Sequence, residues 1–307
     1  MLRLTGWVLL SVLGATAGLI QDVRSALARN DFAAAHKAIA DYRAKHGVTA
    51  EMLEALSWLG RGALAAARFE EADEYAAETR RLALELLKTR PLDQERHLPI
   101  ALGASIEVHA QALAAGGRRA EAVSFLEGEL AAWRETSIRT RIQKNINLLT
   151  LEGRPAPPLE MSEHLGGEPL PRAAWKGRVV LLFFWAHWCR DCKEQAPILA
   201  RILEKYGARG LLLIAPTQRY GYVAGGKEAG PSEETEYIAE VWRRQYQGLG
   251  HTAAPLSEEN FRVYGASTTP TLVLVDGNGL VRLYHPGRIS YEDLDARLAR
   301  LWGDAGR

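Results

Sequence analysis

The sequence predicts two structural classes joined in one chain: an all-α part over residues 21–150 and an α/β part over residues 153–303. Three observations carry this. Residues 21–150 are rich in Ala, Leu, Glu and Arg, place apolar residues at helical spacing and contain almost no proline. The stretch Gly153-Arg154-Pro155-Ala156-Pro157-Pro158 then breaks helical periodicity and favours extended backbone, and the boundary is expected there. After it, short apolar runs alternate with amphipathic stretches, as strands and helices do around one sheet.

Length and composition agree. At 307 residues the chain is long enough for two cores, and 47% apolar with 24% charged residues marks soluble globular protein. A net charge of +1 and the lack of a concentrated basic patch give nucleic acid nothing to bind, so no such partner is expected.

Residues 1–20 read as an export signal. Arg3 supplies the positive charge, the run to Ile20 is apolar apart from small polar residues, and Ala15-Thr16-Ala17 offers a small-x-small cleavage pattern. The same run is near the minimum length for an uncleaved membrane anchor, and both readings stay open. Either one places the rest of the chain outside the cytoplasm, in a periplasm-like compartment.

Within the helical part three stretches resemble one another: Asn30-Asp31-Phe32-Ala33-Ala34-Ala35, Ala67-Arg68-Phe69-Glu70-Glu71-Ala72 and Gly117-Arg118-Arg119-Ala120-Glu121-Ala122. Each has a turn-prone or small start, then an alanine where two helices would cross closely. This resembles the middle of a tetratricopeptide repeat, although Ala35, Ala72 and Ala122 stand 37 and 50 residues apart rather than at the regular period of 34. A helical-repeat domain and a plain bundle both satisfy the pattern.

In the α/β part, residues 178–186 (RVVLLFFWA) are nearly all apolar, as in a strand covered on both faces. Residues 191–206 have helical spacing, residues 210–215 read as a second buried strand, 232–247 as a helix and 271–275 as a strand. Asp276-Gly277-Asn278-Gly279 is a hairpin turn into a strand at 280–284. Ser290 with Asp293 three residues later opens the last helix in capping-box fashion.

The chemistry-bearing stretch is Phe184-Trp185-Ala186-His187-Trp188-Cys189-Arg190-Asp191-Cys192-Lys193. The chain has only two cysteines, three positions apart, so they cannot cross-link distant parts of a fold. A strand delivers the chain to Cys189 and a helix starts directly after it. The free N–H groups and partial positive charge of that helix start favour a thiolate, the reactive form. Cys192, one turn further on, can resolve a mixed disulfide by attacking the Cys189 sulfur. Such exchange needs neither metal nor organic cofactor. A structural zinc site would need further cysteine or histidine ligands, and so short a disulfide loop would restrain little unfolded-chain entropy. The Trp-Cys-x-x-Cys arrangement also differs from that of a peroxidatic cysteine.

These residues give residues 153–303 a resemblance to the thioredoxin superfamily, closest to the TlpA/ResA-like extracytoplasmic thiol–disulfide oxidoreductases. The resemblance rests on Trp188-Cys189-x-x-Cys192-Lys193, on Pro197 inside the active-site helix, and on Tyr264-Gly265 leading into Thr268-Thr269-Pro270-Thr271. It implies a central mixed sheet flanked by helices, catalysis by Cys189 and Cys192, and a cis Pro270 that faces the pair and aims the Thr269 backbone at an incoming peptide. Trp188 is expected as an apolar rim beside Cys189, with Trp185 and Tyr264 packed around the site. Protein thiols and disulfides are the expected substrates, with an upstream dithiol donor.

The sequence also departs from the family. Where thioredoxins often carry an acid six residues before the first cysteine, and TlpA-like proteins often Asn, this chain has Phe183, so no base for Cys192 is assigned. His187 could add positive potential near Cys189 or simply pack in a loop, and His251 is a weaker candidate. Arg190 and Asp191 oppose each other's effect on Cys189 and leave the redox direction open. A glycine-rich segment, 219–230, is expected as a mobile loop near the substrate groove. Reduction of protein disulfides is the leading reading. Oxidation or isomerisation through the same residues is the alternative, as is an assembly role for the helical part.

Overall fold

A computed structural model describes residues 18–167, 175–250 and 252–303. The expected export segment up to Ala17, and His251, lie outside the described residues. By packing, the chain divides into two compact units, Met1–Ser105 and Ile106–Arg307.

The first unit is helical: α1 (Leu19–Ala28), α2 (Phe32–His46), α3 (Ala50–Ala65), α4 (Phe69–Leu87) and the start of α5 (Leu98–Ala115). Leu19 is already buried in α1, so helical structure begins two residues before the expected start at 21. Asp31 and Thr49 cap α2 and α3 by accepting the Ala34 and Met52 N–H at 2.9 and 3.1 Å. By length and composition α5 could cross a membrane, but most of it is buried, as in a core helix.

The three similar stretches make the same turn. Asn30, Ala67 and Gly117 all have positive φ, at 58°, 57° and 81°. After each, an N–H reaches back five residues at 2.9 Å: Asp31 to Ala26, Arg68 to Ala63 and Arg118 to Leu113. Ala35, Ala72 and Ala122 are then fully buried, because a methyl group is what a close helix crossing leaves room for.

The second unit contains α6 (Arg119–Ala132), α7 (Arg139–Thr150) and the α/β part. Its six strands are β1 (His164–Gly166), β2 (Val180–Phe184), β3 (Leu212–Ile214), β4 (Ala253–Pro255), β5 (Thr271–Val275) and β6 (Val281–Pro286), in sheet order β1-β4-β3-β2-β5-β6. β2 runs parallel to β3 and antiparallel to β5, so the sheet is mixed. Its helices are α8 (Arg190–Tyr206), α9 (Pro231–Gln245), α10 (Glu258–Tyr264) and α11 (Tyr291–Gly303). The strand period of two splits β2 between two cores. Leu181 and Phe183 join the core formed with α8, α9 and α11, while Val180, Leu182 and Phe184 face Phe261 and Tyr264 of α10. The hairpin turn and the last cap form as expected: Asp276 Oδ1 accepts the Asn278 and Leu280 N–H groups, and Ser290 Oγ accepts the Asp293 N–H.

The 153–158 stretch is not a break in packing. It lies along β6, with Gly153 N–H donating to Val281 O at 2.8 Å and Ala156 N–H to Gly279 O at 2.9 Å. Its prolines suit an edge position, where a missing donor costs nothing. The helix before it also belongs with the α/β part. Ile142 and Ile146 of α7 are buried, and Asn147 Nδ2 donates to Val263 O of α10. Gly265, at φ 59°, lies so close that a Cβ there would come within 2.6 Å of Lys144 Cα. The division of packing therefore falls inside α5 rather than at residue 153.

A partly buried charge cluster joins α5 to α7. Glu107 accepts from Arg141 Nε at 2.8 Å and Lys144 Nζ at 2.9 Å. Burial pushes its carboxyl up, but the Arg141 and Lys144 charges outweigh burial and hold it at about 2 against an ordinary 4.5. Because the folded value is depressed, this stabilisation is present above pH 4.5 and is lost as pH falls towards 2. It is worth at most roughly 3 kcal/mol. Glu107→Gln should therefore shrink the loss of melting temperature between pH 6 and pH 3, which calorimetry at the two pH values checks.

Candidate active site

The site stands at the carboxyl end of β2. Beyond Phe184 the backbone is held by Trp185: its N–H donates to Pro216 O, its Nε1 to Ala215 O at 3.0 Å, and its carbonyl accepts from Thr217 Oγ1 at 3.0 Å. The Trp185 ring is fully buried against Trp242 and Tyr246, so its contribution is packing. Residues 186–189 then make a tight turn, with Cys189 N–H on Ala186 O at 3.1 Å.

That turn places Cys189 at the N-cap of α8, where its Sγ accepts the Cys192 N–H at 3.0 Å. Cys189 and Cys192 form a disulfide with Cα atoms 5.3 Å apart. On reduction the same N–H and the helix dipole meet the Cys189 thiolate, a charge-assisted contact that stabilises the anion. Cys189 keeps 3% of its surface exposed and Cys192 none. Trp188, at 49%, is an exposed large apolar side chain directly before Cys189, and its ring meets Tyr220 edge-on at 5.4 Å. Pro197 lies inside α8, where it removes one N–H from the helical ladder.

The antiparallel register of β2 and β5 pairs Phe184 with Thr271, which brings Pro270 to the same sheet end as Trp185 and the turn into Cys189. The Thr269–Pro270 peptide is cis. Pro270 is buried, and the buried Thr269 Oγ1 has no hydrogen-bond partner among the described residues. The loop is anchored from below: Tyr284 Oη donates to Tyr264 O at 2.8 Å, and Tyr264 Oη to Pro157 O at 2.6 Å. Tyr264 is thus fully buried on the α10 side of the sheet, in a different core from the cysteine pair it was expected to pack around.

His187 is not a surface residue. It and Glu234, in the first turn of α9, are each 1% exposed, with Nε2 and Oε1 3.4 Å apart. The rings of Tyr220, Tyr222 and Tyr237 meet the imidazole edge-on at 5.3–5.6 Å. Burial lowers the His187 pKa against the opposing pull of Glu234, and the Lys193 charge lowers it further. Glu234 also accepts the backbone N–H groups of Tyr220 and Gly221. The expected loop at 219–230 is thereby tied down. Arg219 adds a bond to Thr235 Oγ1 at 2.8 Å and an ion pair with Glu163, and Ala229 N–H closes onto Gly221 O at 3.0 Å.

Phe183 is buried in the same core as Cys192 and rests against Tyr246, so no carboxylate stands at that position. Gln195, one turn beyond Cys192, is fully buried. Its Oε1 accepts the Ile289 N–H at 3.0 Å, and its Nε2 has no partner among the described residues. Arg190 forms an ion pair with Glu194 at 2.9 Å while its side chain stays 90% exposed, so its charge acts on Cys189 through a strongly screening medium. Among the described residues no group of three or more His, Cys, Asp or Glu side chains is arranged to hold a metal.

Residues 169–302 match the family model described as a thioredoxin-like domain. Residues 169–302 are a thioredoxin-like domain. Thiol-disulfide oxidoreductase ResA of Bacillus thuringiensis subsp. konkukian is 26% identical over 149 residues, which span 48% of this chain and 78% of the relative. Thioredoxin-like protein YneN of Bacillus subtilis is 23% identical over 147 residues, with the same coverage of both chains. Among solved structures, a thioredoxin-family thiol:disulfide interchange protein from Chlorobium tepidum is 20% identical. That match covers 48% of this chain and 97% of its own, at a TM-score of 0.37. With its cysteine pair closed into a disulfide at a helix start, the thioredoxin-like domain is a thiol–disulfide oxidoreductase.

The structure brings Cys189, Cys192, Trp188, His187, Thr269 and Pro270 to one end of the sheet. Glu234, Tyr220 and Gln195 escaped the sequence reading. Glu234 follows Pro231 and Ser232 like any exposed acid of a first helical turn. Only its position three residues after Pro231, beside a tyrosine-bearing loop, hinted at more.

Proposed function

We propose that the protein is exported and reduces disulfides of client proteins outside the cytoplasm, in a periplasm-like compartment, with Cys189 as nucleophile and Cys192 as resolving thiol. The observation that carries this reading is Cys189 at the N-cap of α8, slightly exposed and flanked by the open Trp188 ring, with Cys192 closed off behind it. The relatives named thiol-disulfide oxidoreductases support the chemistry.

The Cys189 thiolate attacks a client disulfide, a mixed disulfide forms and the first client sulfur leaves as thiolate. Cys192 then loses its proton and attacks the Cys189 sulfur, releasing the second client thiolate. Two electrons pass from the dithiol to the client, and an upstream dithiol donor restores the reduced pair. The Thr269 backbone before cis Pro270 pairs with the client peptide, and Trp188 covers its apolar side chains. The tetratricopeptide-like helical hairpins supply client affinity or dimerisation, and residues 1–20 serve as signal or anchor. No metal or organic cofactor takes part.

Equilibration of the purified protein with glutathione buffers tests the direction. A potential below that of the glutathione pool supports reduction, and one well above it makes the same residues an oxidase or isomerase site. Location is tested by a reporter active only after export, fused after residue 30, which should give signal. A reporter active only in the cytoplasm giving signal instead would reject export.

A further inference from the structure

An exchange enzyme needs its nucleophile ionised, and the apolar Phe183 supplies no proton acceptor to the core that holds the cysteine pair. A carboxylate and an imidazole nevertheless lie buried beside the redox turn. His187 is separated from Cys189 by one residue, in the turn closed by Cys189 N–H on Ala186 O. Its Nε2 stands 3.4 Å from Glu234 without hydrogen-bond geometry, and both side chains are removed from solvent. A buried carboxylate and imidazole at this range cost desolvation energy that a purely structural contact would recover better with apolar groups. His187 lies in the turn that carries Cys189, which supplies a reason for the pair.

We infer that Glu234 and His187 form a buried acid–imidazole pair that holds the proton Cys189 releases on becoming a thiolate, and so activates the nucleophile. This rests on the exchange reading proposed for the cysteine pair. In the disulfide form there is no anion at Cys189, and burial keeps the imidazole neutral. On reduction the proton of the Cys189 thiol passes to His187, leaving a thiolate and an imidazolium whose charge Glu234 balances. When the thiolate attacks a client disulfide, the imidazolium returns that proton to the departing client thiolate. No electrons move in either proton step.

The groups facing the imidazole are Glu234 and Tyr237 on α9, Tyr220 and Tyr222 on the loop, and Lys193 on α8. Only Glu234 favours the imidazolium by charge, and Lys193 opposes it. His187 is the group that exchanges the proton with the reacting sulfurs, whereas Glu234 acts through it and is a positioning residue. Glu234 has a second consequence: by gripping the Tyr220 and Gly221 N–H groups it sets the Tyr220 ring against Trp188, so charge and apolar rim are held by one side chain.

The test uses the full chain with isotope-labelled histidine. The His187 resonance is identified by its loss in His187→Asn, and its titration is followed by NMR in the disulfide and reduced forms. The expected result is a midpoint about one pH unit higher in the reduced protein, because a nearby thiolate favours the imidazolium. Glu234→Gln should lower that midpoint in both forms. In parallel, iodoacetamide alkylation of Cys189 at pH 7 should slow about tenfold in His187→Asn, the same free energy read from the other partner. Equal His187 midpoints in both redox forms would overturn the inference. The midpoints are read in the wild-type chain, and His187→Gln gives a second route to the assignment should His187→Asn fail to fold. Insulin reduction separates the two readings: turnover with an unmoved His187 rejects the pair alone, while no turnover rejects the exchange reading itself.

Discussion

Cys192→Ser should trap client proteins as mixed disulfides through Cys189, and Cys189→Ser should trap almost none. The asymmetry comes from the first turn of α8. Cys189 receives the free Cys192 N–H, faces the helix dipole and retains an exposed edge, whereas Cys192 has no accessible surface. With Cys192 gone no second thiol can release the client, because the chain has only these two cysteines. Both variants should lose insulin-reducing turnover by on the order of 1,000-fold or more, as expected when a nucleophile or its essential partner is removed. Thiol trapping followed by mass spectrometry reads the first outcome. Equal trapping by the two variants would reject the assigned order of attack.

The second large effect concerns where the redox domain can be cut. Residues 153–307 contain every side chain assigned to the chemistry, yet a fragment beginning there should be much less stable than one beginning at Ile106. The shorter fragment lacks α7, whose Ile142 and Ile146 are buried and whose Lys144 backbone lies against Gly265. Each lost large apolar side chain is worth about 1.5–3 kcal/mol of burial, against a total of about 5–15 kcal/mol for a typical domain. The damage should be greatest at residues 263–270, since Asn147 holds Val263 O and Gly265 opens the loop to cis Pro270. Urea denaturation should therefore give a lower midpoint for residues 153–307, and hydrogen exchange should show faster opening of that loop. Equal midpoints would place the boundary at the proline-rich segment after all.

Much of the thioredoxin-like half was legible locally. β2 could be read because a strand covered on both faces must be apolar throughout, and β5 because the Asp276–Gly279 hairpin turn bounds its carboxyl end. The start of α8 was legible because Cys189 stands where strand pattern changes to helix pattern. The repeated turn at Asn30, Ala67 and Gly117 was visible in the small and turn-prone residues, since the left-handed conformation restricts which side chains can stand there.

The residues alone thus determined the class of each half, the cysteine pair and the strand–turn–helix setting around it, all of which depend on spacings of a few positions. Tertiary structure decided the rest. The partner of His187 lies 47 positions away on α9, and no periodicity links them; only the packing of α9 against the redox turn makes Glu234 its neighbour. The limit of the second unit was decided in the same way. Prolines at 155, 157 and 158 keep this segment out of a helix, but whether the chain leaves the domain there depends on β6 offering an edge and on α10 offering a surface to α7. Proline governs the local backbone conformation, while a domain boundary is a property of which surfaces bury one another.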